Sequence, residues 1–236
     1  MKNLSSILTL ALALPATAAV VVTEDFTYAN GDVEGLNGGT GFSGAWSASD
    51  SATSPASEFD IVGNQALFQG YQGASQEIVN QTRDFSSSYT LDDLTTITFS
   101  FDLIVNETQL GRGIGVSLFD TTLGQGIFFG KQINGEYGAH DVINVGSTDY
   151  ANLSATGSMT ITAILTSDGT DTFVSVSDGT ETVNGTVAGT QFTFDQLQLN
   201  GYHRLTTSNG VDSISLDVTT IPEPSSTALL GLAGLG

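Results

Sequence analysis

Between Ile97 and Leu103 the chain reads Ile-Thr-Phe-Ser-Phe-Asp-Leu, with a large apolar residue at every second position and a polar one between. Successive side chains of a β-strand point to opposite faces, so this order makes one dry face and one wet face, whereas a helix of period about 3.6 would scatter both. Met159, Ile161, Ala163 and Leu165 repeat the pattern, as do Ile214, Leu216 and Val218. No stretch between the termini holds a helical apolar stripe longer than a turn or two. Turn residues agree with strands. Ser-Asp-Gly-Thr occurs at Ser167 and again ten residues on at Ser177, with Phe173 to Val176 between and Asn184-Gly185 after. Asp-Gly and Asn-Gly accept the positive φ of tight hairpins, so the spacing predicts a local meander turning at Asp168, Asp178 and Asn184.

The fold class that follows is all-β, a two-sheet antiparallel β-sandwich. Roughly two hundred residues remain once two terminal segments are set aside, which suits one domain. With 39% hydrophobic residues and 13 Phe the chain can bury a sizeable core, and with no cysteine that core must hold without disulfides or thiolate metal sites. Charge is one-sided, 25 acidic against 5 basic side chains for a net −20, and loss of Lys2 with a leader would make it 25 against 4, or −21. Nucleic acid is excluded as a partner, since phosphate binding needs clustered cations and Arg83, Arg112, Lys131 and Arg204 are scattered. Such acidity suits solubility in a saline or crowded exterior and raises the question of divalent cations.

Few residues carry chemistry at a useful spacing. Glu58 and Asp60 fall on one face of a predicted strand, but position 63 is Gly, and glycoside hydrolysis needs a second carboxyl group facing the first. His140 and His203 stand in different segments with no second histidine at ligand spacing, and no Gly-x-Ser-x-Gly marks a nucleophile. Asp168 with Asp171, and Asp178 with Glu181, are weak calcium candidates. Calcium takes about six to eight oxygens, and the two turns fall at opposite ends of a meander, so they cannot pool their ligands. No catalytic residue, no metal site and no cofactor are therefore assigned, calcium remaining the one candidate ion. Trp46 follows a glycine-rich opening in which Phe26 and Phe42 also stand; it either packs in or at the rim of the core, or stacks on a sugar ring. Tyr71, Tyr137 and Tyr202 are the loop aromatics available for glycan contact, or else strand-edge fillers.

The two ends are address labels. Lys2, an apolar stretch from Ile7 to Leu14, Pro15 and Ala16-Thr17-Ala18 make a secretory signal peptide, residues 1–19, cleaved after Ala18 or Ala19. That apolar stretch is far short of the about 20 residues that span a bilayer. At the other end, residues 221–236, Pro222, Glu223, Pro224 and Ser225 precede a run of Ala, Leu and Gly. This pairing resembles the PEP-CTERM sorting signal of Gram-negative bacteria. The resemblance implies an exosortase-type processing enzyme as partner, transient inner-membrane association through the tail, and a destination in the cell envelope or outside the cell. The apolar tail is shorter than a membrane span and no Arg or Lys follows it, so the signal reads as truncated.

Between these ends lies one domain, residues 20–220. Glu24-Asp25-Phe26-Thr27-Tyr28-Ala29-Asn30-Gly31, continuing to Gly41-Phe42-Ser43-Gly44-Ala45-Trp46, resembles the opening of LamG-like, concanavalin A-type jelly rolls. Phe192 to Leu199 and Val211 to Asp217 resemble their closing strands. The resemblance implies a non-catalytic envelope or matrix protein that binds exopolysaccharide, with a glycan hydrolase or lyase as the alternative the fold permits.

Overall fold

The computed structural model describes residues 17–48, 58–69, 77–106, 113–131, 140–145, 148–153, 157–203 and 209–221. Among them there are strands and no helix. The first eight strands are β1 (Thr17–Glu24), β2 (Gly31–Asp32), β3 (Ser47–Ala48), β4 (Glu58–Ile61), β5 (Ala66–Gln69), β6 (Glu77–Thr90), β7 (Thr95–Ile104) and β8 (Gly113–Asp120). The second eight are β9 (Gln125–Lys131), β10 (His140–Val145), β11 (Thr148–Leu153), β12 (Met159–Ser167), β13 (Thr172–Ser177), β14 (Thr182–Val187), β15 (Thr193–His203) and β16 (Gly210–Thr220).

They form two antiparallel sheets. The nine-stranded sheet runs β14-β13-β12-β7-β16-β5-β4-β2, with β1 also paired to β16; the seven-stranded sheet runs β11-β10-β9-β8-β15-β6-β3. From β5 to β8, and again from β14 to β16, the chain crosses from one sheet to the other at every step, which is the winding of a jelly roll. This is the two-sheet antiparallel sandwich that the alternation predicts.

The core is built from that alternation. Ile97, Phe99, Phe101 and Leu103 of β7 are buried, while Thr98, Ser100 and Asp102 between them stay partly exposed. Phe99 lies opposite Ala163 of β12 and Leu216 of β16, and its ring meets Phe129 of the other sheet at 5.6 Å. A second contact between sheets depends on a missing side chain: a Cβ on Gly201 of β15 would come within 2.5 Å of the Phe68 ring from β5.

At one end the sheets are tied by charge. Glu24 closes β1, Arg83 stands on β6, and their side chains, 0% and 1% exposed, meet at 2.6 Å. Glu24 also accepts hydrogen bonds from the Phe26 backbone N–H, the Tyr28 hydroxyl and Trp46 Nε1, at 3.1, 2.9 and 3.3 Å. Arg83 spends its other donors on the Gly44 carbonyl and Asn37 Oδ1, at 2.7 and 2.8 Å, and lies over the Phe42 ring at 4.1 Å. Here the glycine-rich opening finds its purpose. Phe26 is fully buried at a φ of 49°, a left-handed conformation that phenylalanine rarely adopts. The hydrogen bond from its own N–H to Glu24 helps hold it there.

The turns differ in part from expectation. Hairpins form at Asp168 and Asp178, but within each Asp-Gly pair only the glycine has positive φ, 86° at Gly169 and 85° at Gly179. The aspartate side chain does the rest: Asp168 Oδ1 accepts the N–H groups of Thr170 and Asp171 at 2.9 and 2.8 Å. No turn forms at Asn184-Gly185. Both residues lie inside β14, opposite Ser175 and Val174, and the chain turns at Ala188-Gly189 instead. A ladder already running against β13 outweighs the local preference of Asn-Gly.

Candidate functional site

Trp46 does not offer a ring to a ligand. It is 1% exposed, packed against Phe26 at 6.1 Å between centroids, with its indole N–H bonded to Glu24. The glycan contact considered for it is corrected to core packing, because a ring sealed on both faces cannot stack on sugar. Tyr71 and Tyr137 lie outside the described residues, as do Pro222, Glu223, Pro224 and Ser225. Ala18 and Ala19 belong to β1, opposite Thr219 and Val218 of β16.

Asp168 and Asp171, the weak calcium candidates, each accept backbone N–H groups through Oδ1. Asp168 turns its carboxylate onto its own loop, where the N–H groups of Asp171 and then Thr170 hold it below the usual aspartate range, and Asp171 Oδ1 accepts the Gly189 N–H at 2.7 Å. Oxygens committed to backbone donors in this way are not gathered around a shared centre. Among the described residues no group of three or more His, Asp or Glu side chains is placed to hold a metal.

At the edge of the nine-stranded sheet the structure brings together more carboxylates than the sequence suggests. Glu58 and Asp60 share the outer face of β4, as alternation predicts, and Asp32 of β2 lies directly opposite Asp60. Burial first, then the charges of Asp32, Asp60 and Glu34, and a hydrogen bond with Asp32, push the Glu58 carboxyl up to about 7. Burial, and then Asp32, also push Asp60 up. The folded chain thus keeps on Glu58 a proton that the unfolded chain gives up above the ordinary glutamate value of 4.5. Stability from this proton is present below pH 4.5 and falls as pH rises to about 7. Glu58→Gln should flatten that slope in urea titrations at a series of pH values, by on the order of 1 kcal/mol once solvent screening at a partly exposed edge is allowed for. An unchanged slope would mean that Glu58 titrates as a free glutamate.

The outer face of the seven-stranded sheet is of another kind. Leu197 and Leu199 of β15 and Ile114, Val116 and Leu118 of β8 turn inward, so Gln196, Gln198 and Asn200, with Phe119, turn to the other side and are half-buried there; Gly115 and Ser117 share that side and are themselves buried. On β9 the same alternation buries Ile127 and Phe129 and leaves Gly126 and Phe128 outside. Phe119 and Phe128 are only half-buried and stand apart from the core cluster. Each ring reaches over a glycine of the neighbouring strand: a Cβ on Gly126 would meet the Phe119 ring at 2.6 Å, and one on Gly115 would meet Phe128 at the same distance. Beside them the amides are linked in sequence. Gln198 Nε2 donates to Gln196 Oε1 at 2.8 Å, and Gln196 Nε2 to Asp84 Oδ1 at 2.8 Å; Asn200 Nδ2 donates to Ser117 Oγ at 2.9 Å and to the Gln198 carbonyl at 3.0 Å. Backbone register places Tyr202 one alternation beyond Asn200 on the same strand, opposite Gly113. Of the three tyrosine candidates it alone lies among the described residues, and its backbone adjoins this face.

No known protein family profile matches the chain, and no curated protein sequence matches it. Solved structures resemble it. The chain is similar to the Ca2+/Man2-bound exoplasmic/lumenal domain of VIP36, at 14% identity over 75% of this chain and 82% of that one, with a TM-score of 0.44. It is similar to arcelin-5, a lectin-like defense protein from Phaseolus vulgaris, at 11% identity over 87% and 98%, TM-score 0.44. It is also similar to the globular domain of T. cruzi calreticulin, at 10% identity over 90% and 92%, TM-score 0.48. The likeness is one of overall strand layout and reaches no individual residue.

Proposed function

We propose that the outer face of the seven-stranded sheet binds glycan, and that the protein acts by adhesion, as a non-catalytic component of the cell envelope or extracellular matrix. The observation that carries this reading is the pair Phe119 and Phe128, half-buried and reaching over Gly126 and Gly115 beside the amides of Gln196, Gln198 and Asn200. An aromatic ring held at the sheet surface presents an apolar area to the C–H face of a sugar, while side-chain amides beside it can donate to and accept from sugar hydroxyls. A shallow face of this kind binds weakly at each copy, so retention comes from many copies on one surface. The test is affinity electrophoresis of the full chain through gels containing host exopolysaccharide. Phe119→Ala with Phe128→Ala should lose at least about tenfold in retention, with unfolding midpoints little changed because neither ring is in the core. Equal retention of the double variant would overturn the platform.

Export and sorting belong to the same proposal. The described fold ends at Ile221, whose N–H bonds the Leu94 carbonyl at 2.9 Å, and the Pro222-Glu223-Pro224-Ser225 motif begins at the next residue. A processing enzyme of the exosortase type would thus meet its site directly beyond the sandwich, with the precursor briefly held at the inner membrane. Removal of residues 1–19 would leave Val20 to Glu24 still paired with β16. Glu223→Ala with Pro224→Ala, in a host that has the enzyme, should leave precursor in the membrane; an unchanged mature mass would refute sorting.

One observation favours a second reading, glycan hydrolysis. Glu58 holds a proton near neutral pH beside Asp32 and Asp60, which is what a general acid needs. Against it, position 63 is glycine and adds no further carboxyl group to this strand, and the proton on Glu58 is held up first by burial and then by its acidic neighbours rather than by a bound substrate. Reducing ends released by the wild type and abolished in Glu58→Gln would establish hydrolysis.

A further inference from the structure

We infer that the glycan taken by this face is an uncharged polysaccharide, bound as an extended segment along β8 and β9; the inference rests on the glycan-binding reading above. The first ground is charge. Where β6, β15, β8 and β9 cross, the described outward side chains include no Lys or Arg, and the ionisable residues at the margin, Asp84 and Asp195, are both acidic. Asp84 is already tied to Gln196, and Asp195 accepts hydrogen bonds from Thr121, so each is held in place as a fixed acidic group. Arg83 and Lys131, the basic residues of these strands, are 2% and 3% exposed and alternate to the inner side, so neither can reach a ligand. Arg112 and Arg204 adjoin in sequence one and the same end of this face, where Tyr202 lies opposite Gly113, and lie outside the described residues, so they are tested below by substitution. A polyanion would approach amides, hydroxyls and two phenyl rings, with no described cation to neutralise it, on a chain of net charge −20.

The second ground is shape. Phe119 is opposite Gly126 and covers it, while Phe128 reaches Gly115, four residues from Phe119 along β8. At about 3.4 Å per residue the two covered positions are about 14 Å apart along the strands, longer than a single sugar ring. Gln196, Gln198 and Asn200 run parallel to this strip on the neighbouring strand, in register with Phe119, Ser117 and Gly115. Rings beneath and amides along one side suit consecutive sugars, each stacked by its C–H face with hydroxyls toward β15. The ligand's polar groups are then hydroxyls, which the amides can satisfy without any charge being desolvated.

The experiment uses the full chain in titration calorimetry against neutral hexasaccharides (cello-, laminari-, xylo- and mannohexaose) and against polygalacturonate and alginate. Each is run at low and high salt, with calcium or with EDTA. The expected result is binding of at least one neutral hexasaccharide, insensitive to salt and EDTA, weakened about tenfold by Phe128→Ala and unchanged by Arg112→Ala with Arg204→Ala. The trisaccharide of the same series should bind more weakly than the hexasaccharide. Binding of the polyanions alone, or binding that needs calcium or falls with salt, overturns the inference and leaves the glycan-binding reading standing. Absence of binding to every neutral and anionic probe sinks both.

Discussion

Arg83→Ala should cost about 3–5 kcal/mol of folding stability, because it strands a buried carboxylate. Glu24 is 1% exposed, and without the guanidinium at 2.6 Å its charge faces only the neutral donors of Phe26, Tyr28 and Trp46. The Gly44 carbonyl and Asn37 Oδ1 lose their donors in the same step. Arg83→Lys should recover little, since one ammonium cannot meet three acceptors that the planar fork reaches together. Replacing both residues by leucine removes the stranded charge but leaves the Phe26, Tyr28 and Trp46 donors without their acceptor, so recovery should be partial. Urea unfolding followed by tryptophan fluorescence reads this directly, as the one Trp sits within the network. A loss under about 1 kcal/mol for Arg83→Ala would mean that water reaches Glu24 and that the pair does not tie the sheets.

Phe99→Ala should cost a similar amount, about 3–5 kcal/mol, for a different reason. The ring is fully buried, 5.5 Å from Phe101 on its own strand and 5.6 Å from Phe129 on the opposite sheet. Both sheets are held by strand ladders on either side of it, so neither can collapse into the space, and the cavity adds to the lost transfer energy. Phe99→Leu should recover more than half of the loss. Calorimetry of the two variants checks this; a cost for Phe99→Ala below about 1 kcal/mol would place the ring outside the contact between sheets.

The long strands were legible because their signal is periodic. β7, β12 and the second half of β16 follow directly from residues 97–103, 159–165 and 214–218, where one face must be dry. What could not be read is pairing over distance. β2 is two residues long and carries no periodicity, so nothing in the sequence puts Asp32 opposite Asp60 or gives Glu58 its neighbour. Arg83 looked like a scattered cation because its partner is 59 residues away. Phe119 and Phe128 are silent for a related reason. Nothing local separates a phenylalanine on the outer side of a strand from one in the core, and the clue lies in the residues between the apolar ones: glycine, serine and amide where charge is usual, as in Gly115, Ser117 and Gln198. Asn184-Gly185 shows the reverse failure, a strong local turn signal overruled by a neighbouring strand.

The pairing of β1 with β16 places Val20 opposite Asp217, so a chain shortened by residues 1–19 would still enter and leave the sandwich at one end. A load applied between those two places would part their ladder one rung after another, like a zip, and meet little resistance. A load between residue 221 and the seven-stranded sheet acts differently. It must pass from β16 through the packed interior, including Leu216 against Phe99 and Phe99 against Phe129, before any strand can slide. Were the protein tethered by its C-terminal side and pulled by a bound polymer, as proposed, the weak direction would be the one that tether and cargo do not load.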